Sequence, residues 1–129
     1  MKITITHALA ATGYIAENYR EGLVPATRIS KECNIPKDYL MKILLQLVNA
    51  QILRSKRGPG GGLSLARDPE EITMLQIIEV VGGPLMRDMP IAELAHNADF
   101  ALRMESICTK ATEKEMEIYD KAKLSDMLK

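Results

Sequence analysis

Apolar residues at the start of the chain recur at Ile5, Ala8, Leu9, Ile15, Ala16 and Tyr19, the spacing of one buried helix face, until Glu21-Gly22 ends the run. This predicts a first helix over residues 5–19. Pro25 opens a shorter helical stretch over 26–33, in which Ile29 and Cys33 face inward while Arg28 and Lys31 face out. Asn34-Ile35-Pro36 breaks that helix. Pro36 suits the first turn of the next one, where its missing amide hydrogen would have had no partner. Leu40, Ile43, Leu44, Leu47 and Val48 then repeat with helical period, so two helices joined by a tight turn are expected.

After Gln51 the period changes from helical to alternating. Residues 52–56 and 63–67 read as two strands around Arg57-Gly58-Pro59-Gly60-Gly61-Gly62, a hairpin with a glycine-rich tip. Helical spacing returns over 72–81 through Ile72, Leu75, Ile77, Ile78 and Val81, and Gly82-Gly83-Pro84 stops it. Residues 82–98 carry no clear period. From Asp99 onward, Phe100, Met104, Ile107, Ala111, Ile118 and Ala122 step by fours and threes, interrupted near Glu115, with Cys108 beside them. A seam of this kind on an otherwise charged helix buries against a partner helix, and a short tail helix is expected around 124–128. No internal repeat or low-complexity tract interrupts the order.

That order predicts a mainly α fold, a winged helix-turn-helix with a two-stranded wing and a long C-terminal dimerisation helix. The expected organisation is a DNA-binding domain over 1–81, a linker or sensor segment over 82–98, and the dimerisation helix with its tail over 99–129. At 129 residues and 47% hydrophobic, one compact domain with an added arm is the size to expect. The start lacks the pattern of a signal peptide, and charges interrupt every apolar stretch before membrane-spanning length, so a cytoplasmic chain with no membrane partner is expected.

The formal net charge of zero conceals an uneven distribution. Residues 1–67 hold 10 Lys/Arg against 4 Asp/Glu, and the remainder holds 7 against 13. A basic first half suits phosphate, and an acidic second half suits solvent or a partner.

In a helix-turn-helix the second helix enters the major groove by its N-terminal residues. Lys37, Asp38, Met41 and Lys42 lie on its outward side. Lysine reaches phosphate or guanine acceptors, Asp38 accepts from the cytosine amino group, Met41 touches a thymine methyl, and Tyr39 bonds phosphate from the helix edge. Base reading is assigned to Lys37, Asp38 and Met41; singly each also fits a solvated face, and only the set argues for DNA. In the hairpin, Gly58, Gly60 and Gly61 permit close backbone approach and Pro59 stiffens the turn, with Lys56 and Arg57 carrying charge beside it. Arg57 is the cation expected to enter a minor groove, and Arg28 is expected to position phosphate.

Other chemistries fail on their spacing. A phosphate-binding P-loop needs Lys-Ser/Thr after its last glycine, where Leu63-Ser64 stands, and a dinucleotide fingerprint needs glycine at Leu63. The two histidines and two cysteines form no nucleophile–base or metal-ligand pattern, so no enzyme, catalytic residue or metal site is expected. Cys33 and Cys108 cannot build a disulfide framework and are expected as reduced, packed thiols.

The chain resembles the bacterial winged-helix regulators of the IscR/NsrR/CymR type, the Rrf family, over nearly its whole length. The resemblance rests on His7-Ala8-Leu9, on Ile35-Pro36-Lys37-Asp38-Tyr39-Leu40 with Ile43-Leu44, and above all on residues 55–67, Ser-Lys-Arg-Gly-Pro-Gly-Gly-Gly-Leu-Ser-Leu-Ala-Arg. It implies a homodimer with crossed C-terminal helices on palindromic double-stranded DNA, repressing or activating under an effector that it does not identify. Many relatives hold an iron–sulfur cluster through three cysteines about six residues apart. Here only Cys108 matches, with Leu102 and His96 at the earlier intervals and Thr6 where some relatives carry an acidic fourth ligand. The expectation is a sequence-specific repressor without a standard cluster and with no cofactor. The alternative from another class is a winged-helix interaction module that binds a partner protein through residues 82–98 and its acidic arm, without specific DNA binding.

Overall fold

The computed structural model describes residues 2–128; the ends of the expected first and last ranges, Met1 and Lys129, lie outside them. The elements run α1 Ile3–Glu17, α2 Ala26–Cys33, α3 Lys37–Asn49, β1 Leu53–Lys56, β2 Gly62–Leu65, α4 Met74–Gly82, α5 Ile91–Leu94 and α6 Asp99–Lys121. Short 3₁₀ turns lie at Tyr19–Glu21, Pro69–Glu71 and Leu124–Met127. The fold is the expected winged helix-turn-helix with a long C-terminal helix.

The three N-terminal helices and α4 enclose the core. Ala8, Ala11, Ile15, Ile29, Leu40, Leu44, Leu47 and Ile77 are buried in one cluster that Ile52, Leu53 and Leu63 extend under the wing. Burial of such side chains, each worth about 1.5–3 kcal/mol, is what holds the short helices α2 and α4 in place. Thr12 is buried among them, and its hydroxyl donates to the Ala8 carbonyl at 2.7 Å, which satisfies the polar atom locally.

Local chemistry moves several boundaries away from the periodicity. The first helix ends at Glu17 because the Asn18 side-chain amide donates to the Tyr14 carbonyl at 2.8 Å; Tyr19 therefore sits in the following turn rather than on the helix face. Pro36 is the residue before α3, its carbonyl accepting from the Leu40 amide at 3.0 Å, and not part of the first turn. The tight turn before it is made by Asn34, left-handed at φ +54°, a conformation asparagine tolerates.

The fourth helix begins at Met74 rather than at Ile72. Thr73 accepts from the Gln76 amide and the Gln76 side chain accepts from the Thr73 amide, both at 3.2 Å, a reciprocal cap that stops the helix there. Ile72 is left extended, and this has a consequence for the tail. Leu124 donates its amide to the Ile72 carbonyl at 2.9 Å, and Met74 donates to the Ala122 carbonyl at 2.8 Å. Ala122, expected to continue the helical seam, lies beyond the end of α6 in extended backbone and pairs with the same chain. Leu124 then enters the core beside α1. α6 packs on α4 and α5, and the tail beyond it returns to the winged helix.

Replacing Leu124 by alanine removes the side chain that anchors this return. It is expected to cost about 2–4 kcal/mol in urea unfolding, the range for a buried leucine that leaves a cavity; a change below about 0.5 kcal/mol would show that the tail is not part of the core.

Candidate nucleic-acid interface

The exposed side of α3 and the hairpin form two walls of an open groove of about 430 Å³. Lys37 and Met41 line it from α3, Lys56, Arg57, Gly58 and Gly61 from the wing, and Pro25, Ala26 and Thr27 from the start of α2. Leu44, Leu45, Val48 and Leu63 make its floor. Three cations therefore flank a concave apolar floor, with their heads free of ion pairs among the described residues.

The walls are held at a fixed separation by backbone. Val24 and Leu63 exchange amide–carbonyl bonds of 2.9 and 2.8 Å, so the residues leading into α2 serve as a one-pair third strand beside β2. The hairpin itself pairs Leu53 with Leu65, Arg54 with Ser64, Ser55 with Leu63 and Lys56 with Gly62. Ala66 adds a bond to the Ile52 carbonyl just beyond the strands, which recovers most of the expected hairpin length. At Gly62, φ is +153° and an added Cβ would meet the Val24 carbonyl carbon and oxygen at 2.6 Å. At Gly61 it would strike the Lys56 carbonyl oxygen, and the Gly61 amide closes the tip by donating to Gly58 at 2.9 Å. Glycine is required at both positions for the turn to lie flat against its neighbours.

The sequence-predicted residues divide. Lys37, Met41, Lys56, Arg57, Gly58 and Gly61 converge on the groove; Pro59 and Gly60 form its exposed tip. Asp38, Tyr39 and Lys42 are exposed on α3 outside the groove proper, on the helix surface that a major groove would cover. Asp38 sits in the first turn, where its charge also suits the helix dipole. Arg28 is not brought to the groove. Its guanidinium donates to the Tyr14 hydroxyl at 2.8 Å and to the Asn18 side chain at 3.3 Å, lies 5.6 Å from the Tyr14 ring centre, and approaches Glu21 at 4.0 Å. It ties α2 to the end of α1.

Leu45, 61% exposed, was missed, as were Thr27 and Ser55. Leu45 falls one position off the buried stripe Leu40-Ile43-Leu44-Leu47, and that phase error is the signal that marks an outward-facing apolar side chain.

On α6, the expected seam residues Phe100, Met104, Ile107, Ala111 and Ile118 share one exposed face; Ile107 is 66% exposed and Ile118 60%. Cys108 is half-buried at the edge of that face, lining a cleft of about 200 Å³ with Met86, Met89 and Glu105, so it borders the linker of its own chain. Cys33 lies between α2 and α1, with Sγ 3.8 Å from the Ala10 carbonyl. Burial first, and the neighbouring Glu32 second, push its thiol above the usual range.

The profile of the Rrf2 family, described as an iron-dependent transcriptional regulator, matches residues 1–129. Among curated proteins, the chain is 38% identical over 86 residues to an HTH-type transcriptional regulator of Aquifex aeolicus, covering 67% of this chain and 59% of that protein. It is 36% identical over 83 residues to the HTH-type transcriptional regulator IscR of Aliivibrio salmonicida, covering 63% and 49%. The aligned stretches span about half to three-fifths of these relatives' lengths. Among solved structures, the IscR of T. potens superposes with a TM-score of 0.81 at 26% identity, over 99% of this chain and 85% of that one. The CymR of B. subtilis, titled its global cysteine regulator, superposes at 0.82 over 99% and 95%; at 24% identity this shows a shared fold.

The family description names iron, and the residues of this chain that could hold it are few. An iron–sulfur cluster is held by three or four thiolates or imidazoles. Here Cys33 and Cys108 lie on different elements, α2 and α6, and among the described residues no three His, Cys, Asp or Glu side chains gather at one point. Leu102 and Thr6 are exposed, and His96 is exposed in a left-handed turn at φ +53° before α6.

Gly62→Ala is expected to lower stability by about 2 kcal/mol or more in chemical unfolding, through backbone contact and strained φ. Gly58→Ala, at φ +94° in open space, should cost less. Equal effects would mean that the wing is not braced at Val24.

Proposed function

The chain belongs to the Rrf2 family of transcriptional regulators, and we propose that it binds a palindromic operator as a homodimer and represses transcription there. The observation that carries this reading is the groove: Lys37 on the recognition helix and Lys56 and Arg57 on the wing flank one concave surface fixed by backbone bonds. The outward side of α3 offers hydrogen-bonding and apolar groups of the kinds that read base edges in a major groove, Lys37, Asp38 and Met41 among them, and the glycine tip suits a minor groove beside it. Tyr39 and Lys42 are suited to flanking phosphate. Arg28 acts on DNA only indirectly, by holding α2.

The exposed apolar face of α6 supports dimerisation, because a helix presenting Phe100, Met104, Ile107 and Ile118 to water leaves a hydrophobic stripe without cover. Crossed α6 helices would place two α3 helices about one DNA turn apart, roughly 34–36 Å. Family and relatives are regulators rather than enzymes, and no helix among the described residues is long and apolar enough to cross a membrane.

Binding is read by titrating operator and scrambled DNA at several salt concentrations. Arg57→Glu is expected to weaken all sequences alike and flatten the salt dependence, while Asp38→Ala relaxes discrimination at one base pair by about 1–3 kcal/mol. Ile107→Glu should give monomers in sedimentation and lose operator affinity. A base-substitution scan unchanged by Asp38→Ala contradicts the assignment of base reading to that residue, and a dimeric Ile107→Glu contradicts the interface.

The donor set supports a regulator that works without a standard iron–sulfur cluster. Anaerobic incubation with iron and sulfide is expected to leave no thiolate-to-iron absorption and no change in operator affinity. Stoichiometric cluster uptake dependent on Cys108 would overturn this.

A further inference from the structure

A second cavity, of about 360 Å³, lies where the start of α1, the end of α4, the linker and the C-terminal half of α6 meet. Ile5, Ile78 and Leu85 supply apolar walls, and the Gly82-Gly83 backbone leaves the space between them open. A Cβ at Gly82 would press on Ile5 at 2.6 Å, so the glycine sets how closely α1 and α4 approach beside the cavity. Leu85 is held in place by its amide, which donates to the Glu79 carboxylate at 2.9 Å.

Four polar side chains border the same space: Lys2, Arg87, Glu115 and Tyr119. None of them makes a side-chain hydrogen bond or ion pair with another described residue. An apolar pocket within the volume range of small-molecule sites, bordered by two uncommitted cations, is the recognition chemistry of an organic acid. The arginine fork matches a carboxylate in plane, and the lysine adds a point charge. Glu115 would repel a simple acid placed next to it but complements an ammonium group, so an α-amino acid shares the same chemistry.

We propose that this cavity binds a small carboxylic acid with an apolar body, its carboxylate at Lys2 and Arg87 and its hydrocarbon against Ile5, Ile78 and Leu85. Because α1 and α4 belong to the winged helix and α6 is the arm, an occupant bridges the two and biases the angle between them. That step rests on the DNA-binding reading above: with α3 helices on paired half-sites, a changed arm angle changes operator affinity, and operator binding changes ligand affinity by the same factor.

Calorimetry on the purified full chain, without DNA, tests the site with three probes of one shape: 4-methylpentanoate, its α-amino form leucine, and the uncharged 4-methylpentan-1-ol. At least one of the two carboxylates is expected to bind once per chain, with the alcohol about tenfold or more weaker. Lys2→Gln and Arg87→Gln are each expected to weaken that carboxylate about tenfold, while Lys31→Gln on α2 leaves it unchanged. Lys2 is informative because it borders this cavity and not the cleft beside Cys108, which Arg87 also reaches. Absence of binding by both carboxylates, equal binding of the alcohol, or wild-type affinity in Lys2→Gln overturns the proposal. Since the readout is ligand binding alone, a failure of operator recognition would leave it standing, and the converse also holds.

Discussion

The pair of backbone hydrogen bonds between Val24 and Leu63 is the constraint on which the groove between α3 and the wing depends. A two-stranded hairpin is marginal on its own in water. Joined to the residues that start α2, the wing becomes continuous with the helix-turn-helix, and the separation between Arg57 and Lys37 becomes a property of the core. The joint has no room for a side chain at Gly62, and it is cushioned from within by Val24, Leu53 and Leu63, all buried. The glycines of the tip thus serve two ends: Gly58 and Gly60 shape the exposed turn, while Gly61 and Gly62 let it pack.

The arm is attached with similar economy. At its beginning α6 packs on α5, and at its end the chain turns back through Ala122 and Leu124 to pair with Ile72 and Met74. Arg67 adds a further tie, its guanidinium donating to the Gln51 carbonyl at 3.1 Å and reaching the Gln76 side chain at 3.5 Å, so the α3–β1 turn and the cap of α4 are held together. The consequence for function is geometric. In the proposed dimer, an arm fixed at both ends would transmit the pair's symmetry to the recognition helices, and a ligand lodged between arm and domain would have leverage on their spacing.

Much of this was legible in the order of hydrophobic periods. The change from helical to alternating spacing after Gln51 located the wing, and the glycine run located its tip, because both depend on local backbone chemistry. The cap formed by Thr73 and Gln76 was equally local, a Thr-x-x-Gln signature, yet the apolar Ile72 before it drew the expected helix too far toward the N-terminus. Arg28 and Ala122 could not be read in this way. An arginine on the outward face of α2 looks free for phosphate until tertiary packing sets the Tyr14 hydroxyl beside it. Ala122 continues the apolar spacing of α6, and only the competing backbone bond to Met74 takes it out of the helix. Cys108 shows the same limit: its position one step from Ile107 suits a seam, while the placement of the linker turns it toward Met86 and Met89.

In the proposed function, α3 and the braced wing read a specific DNA sequence as a symmetric pair. Selection from a random duplex library with the purified chain, followed by binding of the selected sequence and a scrambled control at physiological salt, tests it most directly. The account predicts enrichment of a palindrome bound about a thousandfold or more above the control. Enrichment of no sequence, with only salt-sensitive binding of about micromolar strength to any duplex, would contradict it and favour a winged helix that engages a protein partner instead.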